Sequence, residues 1–470
     1  MAFSSVVTPA AEHMLRDVVH QPFWLDTPQR PEASDPLLSP VTADLVIVGA
    51  GFSGLWTAYL ARQRHPDLDI VVVDGGRIAS AATGRNGGFV AASLTHGIGN
   101  GMSRWPNQMP QLHRLGMANL DAIVETIRAE GIECDLQLSG EIDVAVEPHQ
   151  VEELHEMVAM AESIGSDVRL LSAEELRTRI DSPTYLAGAY DEHGVAMVDP
   201  ARLAWGLADV LRASGVRIIE NSPVRSMNRV GSDILLGTDH ARLRTQRVAL
   251  GTSAFPPLLK RLRNYVVPVY DSVLVTEPLT AEQRASVGWA RREGVSDAGN
   301  QFHYYRMTED GRILWGGYDA SYYGDMGPHR ENNPAAFGRL ATHFRQTFPQ
   351  LDGIAFTHAW AGAIDTCSRF SAFWGTAMDG RVAYSMGFTG LGVGASRFGA
   401  EVMLDVLWGE QTERTQLQMV GTKPIPFPPR PLRDVGIALT RRSINAADEN
   451  SGRRNLWLRT LDRIGLGFDS

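Results

Sequence analysis

Hydrophobic positions along the chain fall into blocks whose period changes. Asp44-Leu45-Val46-Ile47-Val48 and Ile70-Val71-Val72-Val73-Asp74 are short apolar runs, the first stopping at glycines. Such runs predict parallel strands buried on both faces. Residues 55–64 between them have helical spacing, so the unit reads strand, helix, strand. Helical spacing returns at 117–130 and 151–163, and residues 140–146 alternate between them like a half-exposed strand. Asp199-Pro200 opens another helix, running through Leu211 and closed by Gly215, with Val216 to Ile219 as its strand. Val248-Ala249-Leu250 ends a further strand at Gly251.

Between Val266 and Tyr318 the pattern becomes β-rich, with strands expected at 266–276, 302–307 and 312–315 and a turn at Asp310-Gly311. From Gly380 the chain returns to strand, glycine turn and helix (381–385, 387–394, 395–407), so its C-terminal part is expected to complete the first domain. The fold class is α/β: a Rossmann-like dinucleotide domain interleaved with a second domain of antiparallel sheet plus helices. The boundaries read as an arm at 1–40; a first domain at 41–105, 196–262 and 357–420; a second at 106–195 and 263–356; and a Pro-rich linker with helical tail at 421–470. Phe23 and Trp24 are expected to dock the arm onto the body, and the tail to dock on the body or a neighbouring subunit.

Composition narrows the chemistry. The 470 residues carry 44% hydrophobic side chains, enough for a large core, and a net charge of −10 that disfavours a nucleic-acid partner. Cys134 and Cys367 can form neither a zinc cage nor a CxxC pair, and the histidines show no metal-ligand spacing, so no metal is expected. One uncharged stretch, 45–61, falls short of the ~20 residues a bilayer core requires and holds three glycines, so no transmembrane segment is expected. Without a signal peptide at its start the chain reads as cytoplasmic.

Gly49-Ala50-Gly51-Phe52-Ser53-Gly54 is a GxGxxG between a strand and a helix. Gly49 permits the turn, Gly51 lets backbone approach a pyrophosphate, and Gly54 allows close helix–strand packing. Phosphate then meets the helix N-terminus. Asp74, followed by Gly75, ends the next strand where a carboxylate binds adenosine ribose. NAD and FAD share this fingerprint. The glycine-rich segment Thr83-Gly84-Arg85-Asn86-Gly87-Gly88 tips the choice to FAD, because backbone there can approach an isoalloxazine ring. Gly387, Gly390 and Gly392, in Gly387-Phe388-Thr389-Gly390-Leu391-Gly392, would let a later helix start approach the flavin pyrimidine, whose charge on reduction that helix end stabilises.

With these segments the chain resembles the D-amino-acid oxidase superfamily of FAD-dependent oxidoreductases, most of all its glycine-oxidase, sarcosine-oxidase and gamma-glutamylputrescine-oxidoreductase branches, over about residues 40–415. The resemblance implies that residues 83–88 run beside the flavin, that Val224 faces adenine, that Gly251 and Thr252 end a strand near the cofactor, and that 387–392 form the family's GxxGxG. It implies non-covalent FAD and oxidation of a carbon–nitrogen bond in a small amine or amino acid, with oxygen or another electron acceptor. A 2-hydroxy acid dehydrogenase and a flavin-holding scaffold are the alternatives. Candidates for the substrate side are His96, Trp360 and the strand His303-Tyr304-Tyr305-Arg306, whose alternation sends His303 and Tyr305 to one face and Tyr304 and Arg306 to the other. Arg306, Arg369 and Arg397 are candidates to fork onto a substrate carboxylate. The sarcosine-oxidase branch carries a lysine near the flavin, and the similar strand here, Ile313 to Tyr318, has none.

Overall fold

The apolar runs at 45–48 and 70–73 become neighbouring parallel strands, Val41–Val48 and Ile70–Val73, with Leu45 opposite Ile70 and Val48 opposite Val73. The structure is a computed structural model and describes residues 3–4, 6–463 and 465–466. Arg217–Ile219 extends the parallel set on one side, and Arg242–Leu250 and Val382–Met386 on the other. Alternation splits the central strands: Leu45, Ile47, Ile70 and Val72 face a layer made by helices Phe52–Arg64, Pro200–Ala213 and Gly392–Trp408, whereas Val46, Val48, Val71 and Val73 pack into a core on the opposite face. An antiparallel strand, Phe373–Ala377, and the hairpin Ser226–Val230 with Asp233–Gly237 complete this sheet.

The second sheet has nine strands and is mostly antiparallel. His303–Met307 lies between Gly294–Asp297 and Ile313–Gly317, and the last of these pairs with Val267–Thr276. Gly294–Asp297 pairs in parallel with Glu141–Ala145, which joins the two distant chain segments of this sheet. Phe356–Thr366, expected in the dinucleotide domain, instead pairs along the whole of Val267–Thr276 in the second sheet. That pairing runs from Phe356 to Thr366, so the chain crosses back only after Thr366. Met109–Ala129, expected in the second domain, buries Leu112, Leu120, Ile123 and Ile127 in the first core.

The arm docks: Trp24 is buried and its indole N–H donates to the Asn86 carbonyl (2.8 Å). The tail forms helices Leu432–Glu449 and Leu456–Arg463, and the first is tied to the body where Tyr322 Oη donates to Asp434 (2.9 Å) and Asn300 donates to Asp448 (2.7 Å). Among the described residues no helix is long and apolar enough to cross a membrane.

Asp405, fully buried in Gly392–Trp408, clamps the helix layer. It accepts from Arg64 Nη1 (2.8 Å), Arg414 Nε (2.9 Å) and Thr412 Oγ1 (2.6 Å). Burial opposes its ionisation, but the hydrogen bonds from Arg414 and Thr412 win and hold the carboxyl below its ordinary 3.8. A depressed carboxyl stabilises above its unfolded value and loses that contribution as pH falls further. Asp405→Ala should therefore lower unfolding free energy by about 1.5–3 kcal/mol at neutral pH, since Arg64 and Arg414 lose their buried carboxylate but keep Glu401. Urea titration measures this, and the gap from wild type should narrow as pH drops below about 3.8.

Candidate active site

Backbone meets backbone at the fingerprint. Gly49 has φ +112°, and a Cβ there would stand 2.5 Å from the Gly251 carbonyl; one on Gly54 would stand 1.8 Å from the Gly49 carbonyl. The helix they open, Phe52–Arg64, has no side-chain cap, and the Phe52 N–H is held by Thr83 Oγ1 (3.0 Å). Ser53 Oγ is buried without a partner among the described residues and lines a cavity of about 2410 Å³. That exceeds twice the largest usual small-molecule pocket of roughly 1,000 Å³, so a dinucleotide and a substrate both fit.

Asp74 lines the same cavity, accepting from Ala50 N–H (2.6 Å) on one oxygen and Gly76 N–H (2.7 Å) on the other. Burial raises its pKa against these bonds. Each oxygen keeps a lone pair for a ribose hydroxyl. Gly75, Val224, Gly251 and Thr252 line this end. Cavity wall also includes Gly49, Gly51, Phe52, Thr83, Arg85, Asn86 and Gly87. Gly54, Gly84, Gly88 and Gly387 lie behind it, where added Cβ atoms would meet backbone or packed side chains.

Segment 83–88 is held from several sides. Asn86 donates to the Ala82 and Thr83 carbonyls and accepts from Gly88 N–H (2.8 Å), Arg85 pairs with Glu331 (2.7 Å), and the Trp360 indole donates to the Arg85 carbonyl (2.9 Å). At the far end, Thr389, Gly390, Leu391 and Gly392 line the cavity where the helix Gly392–Trp408 begins without a side-chain cap. Asp365 holds this turn by accepting from Gly387 N–H (2.7 Å) and Phe388 N–H (3.3 Å), and burial pushes its pKa up to about 6. These open helix ends, side-chain-free approaches and the unpartnered Ser53 hydroxyl suit FAD.

The substrate candidates separate. His96 lines the cavity beside Thr389, with burial lowering its pKa against hydrogen bonding to the His96 and Thr389 backbone. Tyr304 reaches the cavity, its ring against Gly87 and Gly316, and its hydroxyl donates to Asp271 Oδ2 (2.6 Å). His303 and Tyr305 point the other way, into the second core. His303 Nδ1 meets Asp297 Oδ2 at 2.6 Å and its Nε2 meets His343 Nδ1 at 2.9 Å. His343 Nε2 must donate to the Ser4 carbonyl, and burial, with His303 next, lowers His343 to about 3, so its Nδ1 accepts from His303. The His343–His303–Asp297 chain is a structural pillar of this core. Tyr305 Oη bonds to Tyr185 Oη (2.7 Å) in the same core.

Arg306 shares Tyr304's face but is walled in, donating to the Val198 carbonyl (2.6 Å) and pairing with Asp135 (3.3 Å). Trp360 is core, 1% exposed. Arg369 donates to the Ser371 and Thr422 carbonyls, and Arg397 pairs with Glu401. None of Arg306, Trp360, Arg369 and Arg397 lines the cavity, and neither cysteine does. Asp271 and Asp365 escaped sequence reasoning; their one signal was an acid inside an apolar strand run.

Residues 44–406 match the DAO family, FAD-dependent oxidoreductases. The chain belongs to this family. Gamma-glutamylputrescine oxidoreductase of Escherichia coli is 29% identical over 80% of the chain and 86% of its own length. A probable oxidoreductase, OrdL, of Haemophilus influenzae is 25% identical over 83% and 88%. Among solved structures, glycine oxidase from Geobacillus kaustophilus superposes with a TM-score of 0.70 at 18% identity, covering 82% of this chain and 100% of that one. The DAO match leaves out the whole arm and the whole tail, yet Arg433, Ile437 and Ile444 of the tail helix line the cavity.

Gly54→Ala should abolish FAD retention and lower the melting temperature, because the methyl has nowhere to go; visible absorbance of the purified protein and a thermal melt check both. Asp365→Ala, which releases the 387–388 turn, should weaken FAD affinity roughly tenfold or more, the loss of one charged hydrogen bond. Fluorescence titration of the apoprotein with FAD measures it. Since Asp365 is raised, its contribution to wild-type folding stability falls as pH rises from 3.8 to about 6, and the Ala variant should lose that slope.

Proposed function

We propose that this chain oxidises the carbon–nitrogen bond of a small amine or amino acid, giving an imine that water hydrolyses to an aldehyde or keto acid. The observation that carries this reading is the continuity of the cavity from the dinucleotide cradle onto the face of the second sheet formed by Val269, Asp271, Tyr304 and Ile364. The names of two relatives support it: gamma-glutamylputrescine oxidoreductase, and the sarcosine oxidase subunit beta of an Arthrobacter species, 23% identical over 69% of this chain.

When bound, FAD would supply a two-electron acceptor for hydride from the carbon bearing nitrogen, once the ammonium has passed a proton to water and freed its lone pair. The chain's own groups do the rest. The uncapped start of Gly392–Trp408 stabilises negative charge developing beside it. His96, kept neutral by burial, adds no positive charge to repel an ammonium. Segment 83–88, pinned by Trp24 and Trp360, gives a fixed wall against which a small substrate is oriented. Oxygen or another acceptor then restores the oxidised cofactor.

Anaerobic mixing of the holoenzyme with putrescine, sarcosine, glycine and lactate tests the proposal. At least one amine should bleach the visible absorbance, with release of ammonia or methylamine on turnover, and lactate should not. Bleaching by lactate alone would make the chain a 2-hydroxy acid dehydrogenase, and bleaching by none would leave a flavin-holding scaffold; either overturns the reading.

A further inference from the structure

The floor of the substrate end is set by strand register. Asp271 stands directly opposite Gly362, and a Cβ on Gly362 would lie 3.2 Å from Arg85 Cβ in the segment beside the cofactor. Directly opposed residues share a sheet face, so the Asp271 side chain points toward that segment. Val273, two residues on, is opposite Gly316, over which the Tyr304 ring lies. Asp271 and Tyr304 therefore meet on the cofactor side of the sheet, where the carboxylate accepts from Tyr304 Oη (2.6 Å) and from the backbone of Ser272 and Gly317 while still lining the cavity.

Around this carboxylate the floor is apolar, with Val267, Val269 and Ile364 lining the cavity. Arg85, the cation nearest along the sheet, is neutralised by Glu331 (2.7 Å) and also donates to the Ala361 carbonyl (3.2 Å). The arginines suited by sequence to fork onto a substrate carboxylate, Arg306, Arg369 and Arg397, are turned away and engaged. On the tail helix, Arg441 pairs with Asp319 (3.0 Å), and Arg433 lines the cavity beside Tyr322. Glu141, Asp143 and Asp191 line the same cavity, where burial raises Glu141 to about 7 and Asp143 well above its ordinary value.

We propose that Asp271, positioned by Tyr304, is the residue that binds the substrate's cationic nitrogen, so that the site selects by the ammonium group and not by an α-carboxylate. This rests on the amine-oxidation reading above and deepens it: the preferred substrates are alkyl amines or diamines without a carboxylate on the reacting carbon. A carboxylate on an apolar floor is poorly solvated, and an ammonium that replaces its lost water gains a charge-assisted hydrogen bond. A neutral ligand of the same shape does not, and an anion is repelled.

Three isosteres test this by binding alone: tert-butylammonium, tert-butanol and pivalate. The first carries no hydrogen on the carbon bearing nitrogen, so it cannot form an imine. Each is titrated into oxidised holoenzyme at pH 8, above the value of about 6 to which burial raises Asp271, and followed by the visible difference spectrum of the cofactor. Wild type should bind the ammonium tightest and pivalate weakest. In Asp271→Asn the Kd for tert-butylammonium should rise roughly 10- to 100-fold, the worth of one charged hydrogen bond, with tert-butanol changed less than about twofold. Pivalate binding as tightly as the ammonium, or an unchanged ammonium-to-alcohol ratio in the Asn variant, would overturn the proposal. If that variant does not fold, the wild-type order of the three ligands decides. The two proposals fail separately: an amine that bleaches the cofactor with the ratio unmoved by Asp271→Asn sinks only this one, and cation preference without bleaching by any amine sinks only the reaction.

Discussion

Everything on the cofactor side depends on three stretches of backbone meeting with no side chain between them. The first strand ends at Gly49, the helix passes at Gly54, and the third strand arrives at Gly251, each close enough that a single methyl would strike a neighbour. Because nothing separates these segments, the start of the helix lies at the strand ends with its amide groups facing the cavity. A helix N-terminus placed there favours negative charge, which suits the pyrophosphate of a dinucleotide.

The second sheet is anchored to this cradle by contacts made on segment 83–88. Trp24 from the arm and Trp360 from the second sheet each donate an indole hydrogen to a carbonyl of that segment, and Tyr304 packs on Gly87. Packing on both sides converts a glycine-rich stretch, flexible by composition, into a wall. The partner sheet contributes alternate residues to the cavity, so Tyr304 reaches it while Tyr305 and His303 stabilise the sheet's far side.

Much of this was legible in the residues. The strands at 41–48 and 70–73, the uncapped helix between them and the returning unit near 382–408 follow from apolar runs that end at glycines, because local sterics alone demand them. The alternation at 303–306 gave two faces but not which of them meets the cofactor, since that depends on where distant helices pack. The sheet to which Phe356–Thr366 belongs is hidden for a similar reason: local pattern names no partner strand, and only the pairing with Val267–Thr276 decides. Asp271 and Asp365 were invisible because each acquires its meaning from a partner far along the chain, Tyr304 in one case and the backbone at Gly387 and Phe388 in the other.

The ends of the chain also matter. Arm and tail lie wholly beyond the stretch shared with the family, yet Trp24 braces segment 83–88 and the face of the tail helix bearing Arg433, Ile437 and Ile444 closes part of the chamber. A hybrid carrying only the shared core of this chain, with a relative's termini grafted on, would keep the nucleotide clamp but inherit a differently shaped antechamber. Substrate preference in such enzymes can drift through their extremities while the catalytic core stands still.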